Sequence, residues 1–109
     1  MSRSTCPSRG DIVWLDFDPQ LGHEQAGRRP ALVLSHREYN LATGMAIVCP
    51  MTSKVEKKWP FTVVLDSLSG VIADQLKSVD WRRRRAQFKE KSDDATLQRV
   101  ITTFLRIIQ

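Results

Sequence analysis

Short apolar runs, each closed by glycine, proline or polar residues, fill the chain up to about residue 90 and constrain its fold more than any other feature. Most neighbouring runs are too close together in the sequence to have a helix between them, which argues against a parallel sheet built from strand–helix–strand units. The runs are rich in β-branched and aromatic residues, which predicts short strands, and they cover residues 11–17, 30–35, 45–49, 61–65, 70–73, 75–79 and 83–88.

The last part of the chain has a different pattern. Residues 93–108 carry an apolar stripe at helical spacing, which predicts an amphipathic helix that Ser92 or Asp93 caps. Residues 37–43 have room for one or two helical turns that end at Gly44. We therefore expect a mainly β fold with a C-terminal helix, in which a small, curled antiparallel sheet closes, or nearly closes, into a barrel and the helix packs on it.

Length and composition predict one soluble domain. The 109 residues, of which 41% are hydrophobic, suffice for a single core, so we expect one domain over residues 1–109, with residues 1–9 as a loose leader. The longest apolar runs are far too short to span a bilayer, and the N-terminus has no signal-peptide core. We expect a cytoplasmic protein that has no membrane partner.

Few residues are available for metal binding or disulfide formation. The chain has two cysteines, Cys6 and Cys49, and two histidines, His23 and His36, without the spacing of a metal site. Cys49 lies inside an apolar run and is expected in the core. We predict neither a metal site nor a cofactor.

Positive charge is concentrated in two segments. The net charge is +5, and residues 82–91 hold six basic residues against Glu90 alone. A second cluster consists of Lys54, Lys57 and Lys58. Such clusters favour an acidic polymer as partner, most simply nucleic acid, although residues 82–85 could also alternate on an exposed strand and only aid solubility.

Polar residues interrupt the apolar pattern at three places. Arg29 ends a glycine-bracketed loop, and Pro30 restricts it to extended backbone, which can aim its guanidinium; it could equally be a surface charge. Thr52 follows Pro50, where a hydroxyl either closes a turn or donates to a phosphate. Residues 73–77 contain polar side chains within an apolar stretch, which suggests a hydrogen-bonded network or the floor of a groove.

Taken in order, several motifs resemble those of the MazF/PemK toxin endoribonucleases. Any one of them is weakly specific, but the ordered set, which runs from about residue 10 to residue 81, is strong. The motifs are GDIVWLDFDP (residues 10–19), GHEQAGRRPALVLS (22–35), YN (39–40), TGM (43–45), PMTS (50–53), PF (60–61) and DQLK (74–77).

The resemblance implies an SH3-like barrel that forms a homodimer and cuts single-stranded RNA at short specific sequences without a metal ion. It also implies an antitoxin partner whose acidic, extended tail occupies the RNA groove. Arg29 and Thr52 match the catalytic pair of the family, and Glu24 matches an acidic residue implicated in activity or RNA contact. A groove between two copies would also give RNA more room than one small barrel offers.

The chemistry of RNA self-cleavage suits these residues. When the 2′-OH attacks phosphorus, the transition state is a dianionic phosphorane, which Arg29 can stabilise with its planar fork of donors and Thr52 with one hydroxyl. Arginine is a poor proton acceptor, so Glu24 is the better candidate base, and His23 is also within reach. A pH–rate profile without an inflection between about pH 4 and 8 would count against both.

Base stacking and phosphate contacts usually hold single-stranded RNA. We expect Trp14 to belong to the core rather than to the RNA surface. The residues predicted to contact RNA are Phe17, His23, Gln25, Arg28, Asn40, Ser53, Lys54, Lys57, Trp59, Gln75 and Lys77.

Two other functions fit the same small barrel. A CcdB-like toxin would poison a topoisomerase by protein contact, with its determinants near the C-terminal helix. A non-catalytic SH3-like module would bind RNA without cutting it. Neither needs an arginine and a threonine that converge on one groove.

Overall fold

The computed structural model describes residues 5–17, 27–55 and 60–109. A short 3-10 turn covers Ala73–Gln75. No helix within the described ranges is long and apolar enough to cross a membrane. The strands are β1 (Asp11–Phe17), β2 (Gly27–Val33), β3 (Met45–Thr52), β4 (Thr62–Asp66), β5 (Ser69–Ile72), β6 (Lys77–Asp80) and β7 (Gln87–Lys91), and the helices are α1 (Arg37–Thr43) and α2 (Asp94–Ile108).

The strands form one curled antiparallel sheet. Its order is β4-β5-β3-β2-β1-β7, and β6 pairs with β3 beside β5. Although β2 and β3 separate β1 from β6 in this order, Lys77 Nζ of β6 lies 5.4 Å from the centre of the Phe17 ring of β1. The sheet therefore curls back on itself into a half-barrel, and the predicted mainly β fold with a C-terminal helix is confirmed.

Both faces of the sheet are apolar. Alternate residues of the inner strands point to opposite sides of the sheet, and both sets of residues are hydrophobic. One set packs inside the curl and includes Val13, Leu15, Ala31, Val33 and Val48. The other set, which includes Leu32, Cys49 and Val71, packs against Leu97 and Val100 of α2. Burial raises the pKa of the Cys49 thiol to about 12, as expected for a core cysteine.

Local signals define the ends of both helices. Gly44 ends α1 in the left-handed conformation, at φ 74°, and its N–H donates to the Asn40 carbonyl. The Asp93 carboxylate caps α2 by accepting a 2.7 Å bond from the Thr96 N–H, and this bond lowers the pKa of Asp93. Both predicted helices are confirmed.

Among the first six strands, two boundaries differ from the prediction by three residues. β2 begins at Gly27, inside the expected loop, because its first residues pair with β1, Gly27 with Phe17 and Arg29 with Leu15. β3 does not stop at Pro50 but continues to Thr52. Pro50 lies where β3 exchanges its neighbour β6 for β5, a position at which a strand tolerates a residue without an N–H.

The basic strand expected over residues 83–88 was placed wrongly. Residues 81–85 form turns, and β7 begins only at Gln87. The Asp80 carboxylate stops β6 by accepting from the N–H groups of Arg82, at 3.1 Å, and Arg83, at 3.0 Å. Such a side-chain-to-backbone turn competes with continued strand pairing.

Residues 5–9 are also not the loose leader that the sequence suggested. Cys6 is only 9% exposed and packs with the residues inside the curl. Its carbonyl accepts a 2.9 Å bond from Arg37, and the Pro7 carbonyl accepts a 2.8 Å bond from Asn40. The segment is therefore anchored to the start of β1 and to α1, and both cysteines are buried as free thiols.

Candidate active site

Four strands bring three polar residues and one phenylalanine to the same end of the curled sheet. β1 and β3 run towards this end and β2 and β6 run away from it, since neighbouring strands are antiparallel. Phe17, Arg29, Thr52 and Lys77 lie at these strand ends. By strand alternation their side chains continue the face that packs inside the curl. We call these four residues the polar end of the sheet.

Arg29 and Thr52 each lie two residues beyond the last pair of the β2–β3 ladder. Val33 pairs with Val48, Leu32 with Cys49 and Ala31 with Pro50. Beyond Ala31 and Pro50 the partners change, because Arg29 pairs with Leu15 of β1 and Thr52 with Gly70 of β5. The residues that are 23 positions apart in the sequence are thus brought to adjacent strand ends.

The Thr52 hydroxyl is held in a defined orientation. The side chain is buried, and Oγ1 accepts a 3.0 Å bond from the Lys54 N–H. A hydroxyl that accepts one bond still has its own hydrogen to donate. Ser53 and Lys54 follow on the exposed side of the turn, so this strand end presents one oriented hydroxyl with a further hydroxyl and a cation next to it.

Lys77 and Phe17 occupy the far side of the polar end. Lys77 lies opposite Val48 in the β3–β6 ladder, and its ammonium group covers the Phe17 ring. Phe17 is 3% exposed and belongs to the core cluster inside the curl, so the structure does not present its ring as an open stacking surface. Gln75 is half-buried on the 3-10 turn that leads into β6.

Arg28 points away from this end. As the neighbour of Arg29 on an extended strand, it faces the opposite side of β2, where it donates to Asp16 Oδ1 at 2.9 Å. Asp16 Oδ2 accepts a second bond, of 2.7 Å, from Arg85. The Arg85 and Arg28 guanidinium groups hold the pKa of Asp16 at about 2, well below its usual value. The structure thus does not bring Arg28 to Arg29 and Thr52.

Asn40 is not brought to this end either. It is fully buried, and its amide donates to the carbonyls of Pro7 and Ser35 and accepts a 2.6 Å bond from the Ser35 hydroxyl. Its own carbonyl accepts from the Trp81 indole. Every polar group of Asn40 is used inside the protein, where it joins the N-terminal segment, α1 and the turn after β6.

We expect Asn40→Ala to lower the free energy of unfolding by about 1–3 kcal/mol, because the Pro7 and Ser35 groups would be left buried without their partner. Chemical denaturation measures this loss. The exposed helix residue Gln98→Ala is the control. A variant with wild-type stability and an altered RNA sequence preference would instead favour the base-reading role that the sequence suggested.

Residues 8–108 match the family described as PemK-like, MazF-like toxin of type II toxin-antitoxin system. The chain belongs to this family. It is 51% identical over 86 residues to the endoribonuclease toxin MazF of Escherichia coli (strain K12), which covers 76% of this chain and 77% of that protein. It is also 30% identical over 106 residues to the Escherichia coli endoribonuclease PemK, covering 91% and 80%.

Solved structures of MazF have the same fold. The crystal structure of Deinococcus radiodurans MazF superposes with a TM-score of 0.88 at 42% identity and covers 95% of this chain and 97% of that one. The toxin in a MazE–MazF complex from the same organism gives a TM-score of 0.83 at 42% identity, over 95% and 96%. The MazF/PemK resemblance read from the ordered motifs is therefore confirmed.

The remaining predicted site residues of this MazF/PemK-family chain lie outside the described residues. They are Glu24, His23, Gln25, Lys57 and Trp59. The interactions of Arg84 and Arg85 with β1, in turn, were missed in the sequence, where the arginines were interpreted as a phosphate-binding surface or an exposed strand. Asp80, a turn-forming residue two positions before the arginine run, was the available signal.

Proposed function

We propose that the chain is the toxin component of a toxin–antitoxin system and cleaves single-stranded mRNA at specific sequences, which inhibits translation and growth. The observation that carries this proposal is that Arg29 and Thr52 lie at neighbouring strand ends, each two residues beyond the last β2–β3 pair, with Lys77 on the same face. A cation fork and an oriented hydroxyl at adjacent strand ends suit one phosphodiester. Since mRNA is the substrate, the proposed place of action is the cytoplasm.

In the proposed reaction the RNA supplies its own nucleophile, so no metal ion is needed. The 2′-oxygen forms a bond to phosphorus as its proton passes to a base, and the bond from phosphorus to the 5′-oxygen breaks as that oxygen gains a proton. The products carry a 2′,3′-cyclic phosphate and a 5′-OH. Arg29 stabilises the charge on the non-bridging oxygens, and Thr52 donates one further hydrogen bond.

Proton transfer is assigned to the segment before β2. Glu24 is proposed as the base because a carboxylate, unlike the Arg29 guanidinium, is able to accept a proton at neutral pH, and His23 is the alternative. Gln25, Ser53, Lys54, Lys57, Trp59 and Gln75 remain proposed RNA contacts, as does Lys77 at the polar end, whereas Phe17 is not retained because its ring is buried in the core.

Cleavage in the presence of EDTA tests the proposal. Purified protein is incubated with an unstructured RNA and EDTA, and the 5′-OH ends are sequenced. We expect cuts at a recurrent short sequence that disappear in Arg29→Ala and Thr52→Ala. RNA retention without any cut would support a non-catalytic module, and inhibition of a topoisomerase without RNA cleavage would support a CcdB-like poison, which the named relatives do not favour.

We propose an antitoxin partner whose acidic extended tail competes with RNA for the same basic surface. MazE–MazF complexes are known for the Deinococcus radiodurans relative. Because attraction between exposed charges is screened by salt, we expect the complex to weaken steadily between about 0.1 M and 1 M NaCl. Isothermal titration with the antitoxin tail measures this dependence, and an affinity that stays constant up to about 1 M would contradict it.

We also propose a homodimer, formed through the apolar face at the end of α2. A cavity of about 260 Å³, lined by residues that include Leu34, Leu76 and Phe104, opens beside Leu105. Leu105 and Ile108 are exposed, at 38% and 61%, and an uncovered patch of this kind is typical of an interface.

We expect Leu105→Lys to shift the protein from dimer to monomer in analytical ultracentrifugation, because a buried, unpaired ammonium disfavours the interface. Gln98→Lys, on the exposed side of the same helix, should leave the dimer intact. A Leu105→Lys protein that still sediments as a dimer would place the interface on another face.

A further inference from the structure

A dense network joins the paired ends of β1 and β2, at Asp16 and Arg28, to the arginine-rich turn. Asp16 forms two ion pairs and also binds Arg84 through its backbone. The Asp16 N–H donates to the Arg84 carbonyl at 2.9 Å, and the Asp16 carbonyl accepts from the Arg84 guanidinium at 3.0 Å. Arg28 also donates to the Arg85 carbonyl at 3.0 Å and to the Gln87 side chain at 3.2 Å. We call Asp16, Arg28, Arg84, Arg85 and Gln87 the Asp16 network.

Arg85 holds its place in this network at a cost in backbone strain. Its φ is 55°, in the left-handed region where side chains other than those of Asn and Asp are rare. A glycine would relieve this strain, but it would lose the 2.7 Å bond from Nε to Asp16. Strained residues of this kind cluster where the strained conformation serves a function.

The network lies one residue away from the polar end of the sheet on both strands. Asp16 precedes Phe17, Arg28 precedes Arg29, and Asp16 and Arg28 are themselves paired across the ladder. On the opposite side of β2, the Arg29 side chain reaches the polar end. The backbone that aims Arg29 is therefore fixed from behind by the network.

We propose that the Asp16 network positions Arg29 for phosphate binding, so that Asp16 and Arg85 are positioning residues of the proposed cleavage site. This inference rests on the proposed function. The ion pairs of the network are partly exposed to solvent, and ion pairs in contact with solvent contribute little to stability. Their main effect is therefore geometric: the network holds the paired ends of β1 and β2, and a small displacement of a catalytic group is costly for the rate.

Kinetic analysis of RNA cleavage by purified full-length variants tests the proposal. We expect Asp16→Asn and Arg85→Gly to lower kcat about tenfold or more while KM changes little, because substrate charge contacts are retained. Arg85→Lys should recover part of the lost kcat. Arg83→Gln removes the same charge from an exposed residue of the same turn, outside the network, and should leave kcat unchanged.

The melting temperature separates positioning from folding. Arg85→Gly relieves backbone strain, so we expect it to melt at or above the wild-type temperature while it loses kcat, a combination that a merely structural role does not produce. A wild-type protein that cuts no RNA would overturn the proposed function. Active wild-type protein with unchanged kcat in Asp16→Asn and Arg85→Gly, or a kcat loss fully explained by unfolding, would overturn the positioning role alone.

Discussion

Thr52→Val is expected to slow RNA cleavage roughly 100- to 1,000-fold, as is typical when one donor to a developing oxyanion is removed. Valine keeps the shape of the buried side chain but has no hydroxyl. It also loses the bond that Thr52 Oγ1 accepts from Lys54, so the turn after β3 is less well ordered. Because this donor acts on charge that develops in the transition state, the loss should fall on kcat.

Arg29→Lys is expected to have an effect of similar size, because an ammonium group keeps the charge but not the planar fork that matches phosphate. Single-turnover cleavage of a defined oligonucleotide measures both variants. Thr102→Val and Arg99→Lys make the same chemical changes on the exposed face of α2 and should cut like the wild type. If Thr52→Val or Arg29→Lys retained the wild-type rate, the catalytic assignment would be wrong.

The elements that sequence predicted best are those determined by neighbouring residues. The stripe of α2, its Asp93 cap and the glycine that ends α1 act over a few positions, and all three are confirmed. β1 was also predicted with its observed bounds, because it is a short run rich in β-branched and aromatic residues between Gly10 and Pro19.

The elements that were placed wrongly depend on distant partners. Whether β2 begins at Gly27 is decided by pairing with β1, and whether β3 passes Pro50 is decided by its change of neighbour. The arginine run was predicted as a strand because Asp80 alone signalled a turn and nothing local showed that Arg85 would reach Asp16. Long-range pairing of this kind leaves little trace in a single sequence.

In the candidate site, too, local sequence identified individual residues but not their long-range arrangement. Motif resemblance selected Arg29 and Thr52, and only the pairing of β2 with β3 brings their strand ends next to each other. Composition could not separate Asn40, whose amide is used entirely inside the protein, from a residue that reads bases. Nor could it separate Arg28 from Arg29, since strand alternation sends adjacent arginines to opposite faces.

Gly70→Ala is expected to lower both stability and activity, because Gly70 pairs with Thr52 at the end of β3. A Cβ atom there would lie 2.9 Å from Thr62 Cγ2, 3.1 Å from Val55 Cγ1 and 3.3 Å from the Val63 carbonyl oxygen. Overpacking of this kind costs about 1–3 kcal/mol. The clash lies between β5 and β4, so relief by movement of β5 would shift the ladder that holds Thr52.

A double-mutant cycle isolates this clash. Thr62→Ser removes the Cγ2 atom that the new methyl group would meet, so it should recover part of the stability and rate lost in Gly70→Ala, although it gains nothing in the wild-type background. Where space allows, glycine-to-alanine changes stabilise a protein by about 0.4–1 kcal/mol, because they lower the conformational entropy of the unfolded chain. The sign of the change in the free energy of unfolding, measured by chemical denaturation, is therefore decisive. A stabilised Gly70→Ala protein would show that the strands accommodate the methyl group without strain, and that the position of Thr52 does not depend on the close approach of β5.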